Sequence, residues 1–310
     1  MNRVIGAAAA LAVALVSAAA PLAAADPPLR VFACEPEWGA LASALGGDRV
    51  DVFVATTALQ DPHAIQARPA LVARLRRADL AVCTGAELEV GWLPVLQRQA
   101  NNPDVNPGRL GFFEATDFVG ALLEKPERLD RADGDVHAAG NPHIQTDPRR
   151  LRLVAVALAQ RLAVLDGAHA AAHEARARRF LADLDAAMAR WEAAAAPLRG
   201  VPVAVAHKNW AYLLDWLGLK EVAAVEPRPG IPPGSGHLAQ LLVDLPRQRA
   251  RAILVAAYED PRAAAFVAQR TGIPLVTLPF TVGGSPGATD VIGLFDETVR
   301  LLLAAVKDAG

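Results

Sequence analysis

Twice along this chain, short runs of β-branched and apolar residues alternate with helix-period segments, and that alternation constrains the fold more than any other feature. From Leu29 the order is LRVFAC, the helical WGALASAL, VDVFVATT, a helix over Pro69–Arg77 and ADLAVC. After Gly200 it restarts with VPVAVAH, the helix AYLLDWLG, EVAAVEP, a helix over His237–Leu245, ARAILVAAY, a helix over Pro261–Arg270, PLVTLPF and a terminal helix over Asp290–Lys307. Between the two blocks lies a loop-rich stretch from Asn101 to Asp147, followed by Asp147-Pro148, an N-cap and first-turn proline that open a helical region. Asp166-Gly167 interrupts that region. Phe180, Leu181, Leu184, Met188 and Trp191 then keep a helical period from about His169 to Ala195, which predicts one long helix of roughly seven turns. The fold class expected is α/β: two doubly wound lobes with mainly parallel sheets, residues 26–165 and 201–310, joined by one long α-helix within 166–200.

The first residues bound the compartment. Arg3 precedes an Ala- and Val-rich apolar run from Val4 to Ala20, and Ala23-Ala24-Ala25 stands before Asp26. This reads as a signal peptide over 1–25, cleaved after Ala25, with a periplasmic mature protein; an uncleaved anchor is the alternative. The 31 Lys and Arg against 33 Asp and Glu, with no basic block, argue against a nucleic-acid partner. Cys34 and Cys83 each end a short apolar run, so each is expected at the carboxyl end of a strand. A disulfide follows if those strands are neighbours, and two buried thiols if they are not.

Of seven histidines, three stand where open α/β sheets bind ligands, outside the carboxyl ends of strands. His63 follows the second strand in Gln60-Asp61-Pro62-His63, His143 precedes a helix in Gly140-Asn141-Pro142-His143, and His207 closes VPVAVAH. The proline before each of the first two stiffens the loop carrying the imidazole. Three converging neutral imidazoles suit a tetrahedral transition-metal ion. His169 and His173 share a helix face four residues apart, but no glutamate lies between them as in a zincin motif. They are expected on an exposed face.

With Asp61-Pro62-His63, Asn141-Pro142-His143-Ile144 followed by Asp147-Pro148, Ala206-His207-Lys208-Asn209-Trp210-Ala211-Tyr212, and Ala86-Glu87-Leu88-Glu89-x-x-Trp92-Leu93, the chain resembles the zinc- and manganese-binding proteins of ABC importers over nearly its whole mature length. The resemblance implies a metal cleft between the lobes, with His63 and His143 from the first lobe and His207 from the second as ligands. It also implies a monomer that hands a divalent ion to a membrane permease, and no enzyme activity.

Related proteins often carry a carboxylate in the last strand–loop of the second lobe, where this chain reads Leu278-Pro279-Phe280-Thr281-Val282-Gly283-Gly284. The fourth ligand is therefore Asp260, Glu259, His137 or water. A site short of carboxylate favours Zn2+ over Mn2+. The long histidine-rich tract of many zinc-uptake relatives is absent; Arg131–His137 is short and holds one histidine. A zinc-dependent hydrolase is the rival from another class, and it lacks a carboxylate in any recognised base motif. An adhesin or chaperone with a structural metal is the third reading.

Overall fold

The computed structural model describes residues 26–128, 134 and 136–308. The signal-peptide reading over 1–25 lies outside them, as does part of the short loop before His137. The first sheet has the order β2 (Val50–Val54), β1 (Leu29–Ala33), β3 (Leu80–Cys83), β4 (Phe112–Glu114), and all its pairs are parallel. The second has the same order, β6 (Lys220–Ala224), β5 (Pro202–Val205), β7 (Ile253–Ala256), β8 (Leu275–Leu278), again all parallel. The loop-rich reading of 101–147 missed β4: three residues, Phe112-Phe113-Glu114, are too few to show an alternation.

Strand periodicity sorts side chains into two kinds of core. Val31 and Ala33, Leu80 and Val82, Val203 and Val205, and Leu254 and Ala256 all face one continuous cluster. Their neighbours face outer cores: Phe32, Ala81 and Cys83 with α2 (Pro69–Arg77) and α3 (Leu93–Ala100), and Ala204, Ile253 and Val255 with α7 (Ser235–Arg247) and α8 (Arg262–Thr271). The shared cluster is filled by α1 (Pro36–Gly46), α4 (Pro148–Leu165), α5 (Ala170–Ala194), α6 (Ala211–Leu217) and α9 (Val291–Asp308). Each fully buried Leu or Val there contributes about 1.5–3 kcal/mol.

Local sequence explains the helix starts. Pro69 takes the first turn of α2, where its missing N–H costs nothing, and Arg74, Arg76 and Arg77 complement the negative end of the same helix. The Asp147 side chain accepts from Arg149 N at 2.8 Å and caps α4. Cys34 and Cys83 form a disulfide, Cα–Cα 4.8 Å, joining the ends of the neighbouring strands β1 and β3.

The long helix brings one correction. His173 is fully buried, not on an exposed face: its Nε2 meets Asp166 Oδ2 at 3.0 Å, and His169 Nδ1 meets the other oxygen at 2.8 Å. Arg49, in the turn after α1, bonds the same carboxylate at the junction of α4 and α5, and His173 Nδ1 lies 3.4 Å from Leu45 O, so the start of α5 is tied to the end of α1. Sequence spacing gives a face of a helix and not which neighbour covers it.

Candidate metal site at the strand ends

His63 lies in the loop after β2. Asp61 Oδ1 accepts from His63 N at 2.9 Å and lies 2.8 Å from His63 Nδ1, so one carboxylate fixes both the turn and the ring. Trp92 Nε1 donates to Pro62 O at 2.9 Å and clamps the loop from below. Held this way, the ring presents Nε2, which is buried and has no hydrogen-bond partner. Burial works to raise the Asp61 carboxyl, but hydrogen bonds from the His63 ring and backbone and the nearby His63 and His207 rings outweigh it and hold it below its ordinary value.

His207 stands just beyond β5 and repeats the arrangement with a residue just beyond the adjacent strand β6. Its Nδ1 is 2.7 Å from Glu226 Oε2, which also accepts from Gly230 N at 2.8 Å. The parallel register pairs Val205 with Ala224, so His207 and Glu226 follow as the next outward pair on one face. A carboxylate on Nδ1 fixes the tautomer, aims Nε2 outward and raises its basicity, as metal-binding imidazoles need.

His143 is reached from the first half of the chain through Asn141-Pro142. Its N donates to Asn141 Oδ1 at 3.0 Å, and Asn141 Nδ2 donates to Glu124 Oε2 at 2.8 Å and to Lys208 O, beside His207, at 3.0 Å. Asn141 thus ties two histidine segments from different sheets. Tyr212 Oη donates to Asn141 O at 2.6 Å and holds the same corner. The His143 ring is 2% exposed, its Nδ1 has no hydrogen-bond partner, and it meets His63 edge-on at 5.3 Å between centroids. Burial, with the neighbouring His63, His207 and His137, holds its pKa well below the usual imidazole value, so the ring is neutral and its lone pair available near pH 7.

The candidate fourth ligands differ in what already holds them. Asp260 is exposed and its carboxylate is taken by Arg262, with Nε–Oδ2 at 2.7 Å. Glu259 accepts from Asn209 Nδ2 at 2.6 Å and from Ala256 N at 3.0 Å, and burial pushes its carboxyl up to about 7. His137 lies in the cleft, its ring 5.4 Å from that of His63, and lines a cavity of about 450 Å3 together with His143 and His207. A second cavity of about 540 Å3, lined by Asp61, His63, His207, Glu226 and Glu259, opens on the other side of His207.

Sequence reasoning singled out the histidines but gave no role to Asp61, Asn141, Glu226 or Phe280. Asp61 was visible as a short acid two residues before a histidine. Glu226 needed the strand register. Phe280, in the stretch where a carboxylate was sought, packs edge-on against His143 at 5.2 Å and against Trp210 and Tyr258. Among the described residues, the set of three metal-type donors all within 4.8 Å of one another is Cys34, Cys83 and Glu89. With both sulfurs in the disulfide, that set offers no thiolate. Around it sit three buried carboxyls: burial first, then Glu89 and Glu37, drive Glu35 well above its ordinary value, and burial pushes Glu37 and Glu89 to about 7.

The family model described as zinc-uptake complex component A, periplasmic (ZnuA), matches residues 31–305. The high-affinity zinc uptake system protein ZnuA of Yersinia pestis is 26% identical over 234 residues, 70% of this chain and 72% of that protein. A crystal structure of ZnuA superposes with a TM-score of 0.71 at 23% identity, covering 91% of this chain and 98% of the other. The Mn-bound periplasmic metal binding protein from Candidatus Liberibacter asiaticus superposes at 0.72 with 15% identity, covering 90% and 99%. With the match running over residues 31–305, the chain belongs to the ZnuA family of periplasmic metal-binding proteins, carriers that bind metal and catalyse no reaction.

Proposed function

We propose that the chain captures Zn2+ on His63, His143 and His207, takes His137 as the fourth ligand, and delivers the ion to the permease of an ABC importer. The observation that carries this reading is the pair of carboxylate-anchored imidazoles, Asp61–His63 and Glu226–His207, on either side of the buried His143. Neutral nitrogen donors with oriented tautomers suit Zn2+ better than Mn2+, which prefers hard oxygen ligands. Each nearby carboxylate has another partner: Asp61 and Glu226 hold rings, Glu259 holds Asn209 and the β7 end, and Asp260 holds Arg262.

The loop carrying His137 has a defined contact across the cleft. Gly134, at φ +87°, sits so close to Pro229 that a Cβ would lie 2.0 Å from its carbonyl oxygen. Pro229 belongs to the segment between Glu226 and Gly230, the two residues that brace His207. Capture at His207 and closure of the His137 loop are then coupled through one short segment. In this reading residues 1–25 are removed after Ala25 on export. Residues 26–165 and 201–310 are the two metal-binding lobes around the 166–200 connector, and the carrier acts as a monomer.

The test is metal content and zinc affinity of the mature protein beside a variant carrying His63→Ala, His143→Ala and His207→Ala. One tightly held zinc per chain, lost in the folded variant and removed by chelator without unfolding, is the expected result. Zinc retained by the variant would reject these ligands, and zinc released only on unfolding would make the metal structural.

A further inference from the structure

Behind the histidine cleft lies a smaller cavity of about 10 Å3, room for about one water-sized occupant. Oxygen-bearing side chains dominate its polar lining: Glu35, Glu37, Gln145, Thr56, Thr281 and Tyr258. Glu35, Glu37 and the adjacent Glu89 are 3%, 1% and 3% exposed, and their hydrogen-bond donors are neutral. Glu89 accepts from Thr84 N at 2.6 Å and Gly85 N at 3.1 Å, Glu35 from Thr84 Oγ1 at 3.2 Å, and Glu37 from Thr281 Oγ1. Taking several carboxylates out of water without a countercharge costs several kcal/mol per ion.

A second observation comes from a different segment. Gln145, in the turn before α4, is 2% exposed, lines the same cavity, and its Oε1 has no hydrogen-bond partner; neither has Glu35 Oε1. Two buried acceptors without a donor, in a cavity of single-atom size between carboxyls, have the form of a cation site rather than of an apolar void. A carboxylate, hydroxyl and amide donor set without nitrogen or sulfur matches hard divalent ions such as Mn2+ or Mg2+.

We propose that this cavity is a second cation site, distinct from the histidine cleft, which takes one hard divalent ion on Glu35, Glu37 and Gln145. Thr281, from the loop after β8, bonds Glu37 of α1, so the site lies where the two halves of the chain meet. Protons and a water compete for the same space, and the experiment separates them from a metal.

The full mature chain is loaded with one equivalent of zinc and titrated with Mn2+, with free Mn2+ followed by its aqueous electron paramagnetic resonance signal and zinc by elemental analysis. The expected result is one Mn2+ bound per chain with zinc retained, and at least tenfold weaker Mn2+ binding in Glu37→Gln and in Gln145→Leu. The His63→Ala, His143→Ala, His207→Ala variant should still bind that Mn2+, which separates this site from the zinc reading. Gln145→Leu changes no charge and carries the test if Glu37→Gln fails to give the native circular dichroism spectrum. Mn2+ that binds only by displacing zinc, or that binds the two folded variants as tightly as the parent, overturns the proposal and leaves the cavity to protons and water.

Discussion

Glu226 offers the sharpest test of how the cleft holds its metal. Its Oε2 sits 2.7 Å from His207 Nδ1 and 2.8 Å from Gly230 N, so it both orients the ring and pins the segment that meets the His137 loop. Glu226→Gln keeps an acceptor for the ring N–H but removes the charge. A charge-assisted hydrogen bond contributes about 1.5–3 kcal/mol and a neutral one about 0.5–1.5, so the change should cost about 1 kcal/mol, or roughly fivefold in zinc affinity. Glu226→Ala also frees the ring to rotate and releases Gly230, which moves the loss toward the hundredfold end of the range of about 10–100-fold seen for such outer contacts. The assay is competition for zinc against a chromophoric chelator, with thermal unfolding of the metal-free proteins as a control. A graded loss, Ala worse than Gln, is expected at nearly constant metal-free stability. Affinity within twofold of the parent in both variants would mean that His207 is not a ligand oriented by Glu226, and the carboxylate–imidazole argument for the whole site would fail with it.

Asn141→Ala removes the bonds to Glu124, to Lys208 O and to His143 N, and should cost about 1–3 kcal/mol in urea unfolding together with a measurable loss of zinc affinity; a change in neither would show that the corner is held by Tyr212 alone. Replacing Cys34 and Cys83 by Ala opens a loop with a sequence separation of 49 residues and should lower stability by about 2–4 kcal/mol while leaving one zinc bound. Burial raises the Glu259 carboxyl from 4.5 to about 7, so the folded chain holds its proton more tightly than the unfolded one, and stability is lost as pH rises from about 4.5 through 7. Relative to the parent, Glu259→Gln should therefore gain stability from pH 5 to pH 8, by up to about 3 kcal/mol, and a difference independent of pH would refute that reading. Small-angle scattering with and without zinc should give radii of gyration that agree closely; a clear contraction would indicate wide hinge closure.

Much of the fold was legible because the two signals that define it are local. Among the described residues, seven of the eight strands fall in runs of four or five β-type residues flanked by turn residues, and Pro69, Pro148 and Asp147 mark helix starts that the structure shares. What was hidden depends on packing. β4 is three residues long and exists because it pairs with β3; His173 is buried because α5 lies on α1 at Leu45. The site divides the same way. His63, His143 and His207 stood out by their position after strands or before a helix. The roles of the residues that orient them did not, since Glu226 reaches His207 only through the register of β5 against β6, and Asn141 reaches Lys208 only across the cleft. The stretch Leu278–Gly284 shows in sequence only its lack of an acid, whereas the structure gives its Phe280 a packing role against His143.

The arrangement of the core bears on how such a carrier releases its ion. One hydrophobic cluster takes side chains from β1, β3, α1, α4 and α5 on one side and β5, β7, α6 and α9 on the other. Swinging the halves apart would expose that cluster to water at about 25 cal/mol per Å2, so a wide opening is costly where a loop movement is not. The cleft histidines proposed as ligands and the brace on one of them, in contrast, sit on short segments outside the strands: His63 after β2, His137 and His143 before α4, His207 after β5, and the bracing segment 226–230 after β6. Of these, 226–230 carries the Glu226 brace and touches the His137 loop through Pro229 and Gly134. A docking partner that displaced this one segment would unbrace His207 and withdraw His137 in a single movement. On the proposed ligand set, His207 and His137 would be withdrawn while the shared core stayed intact, which is how a rigid carrier holds its metal tightly alone and still gives it up on contact.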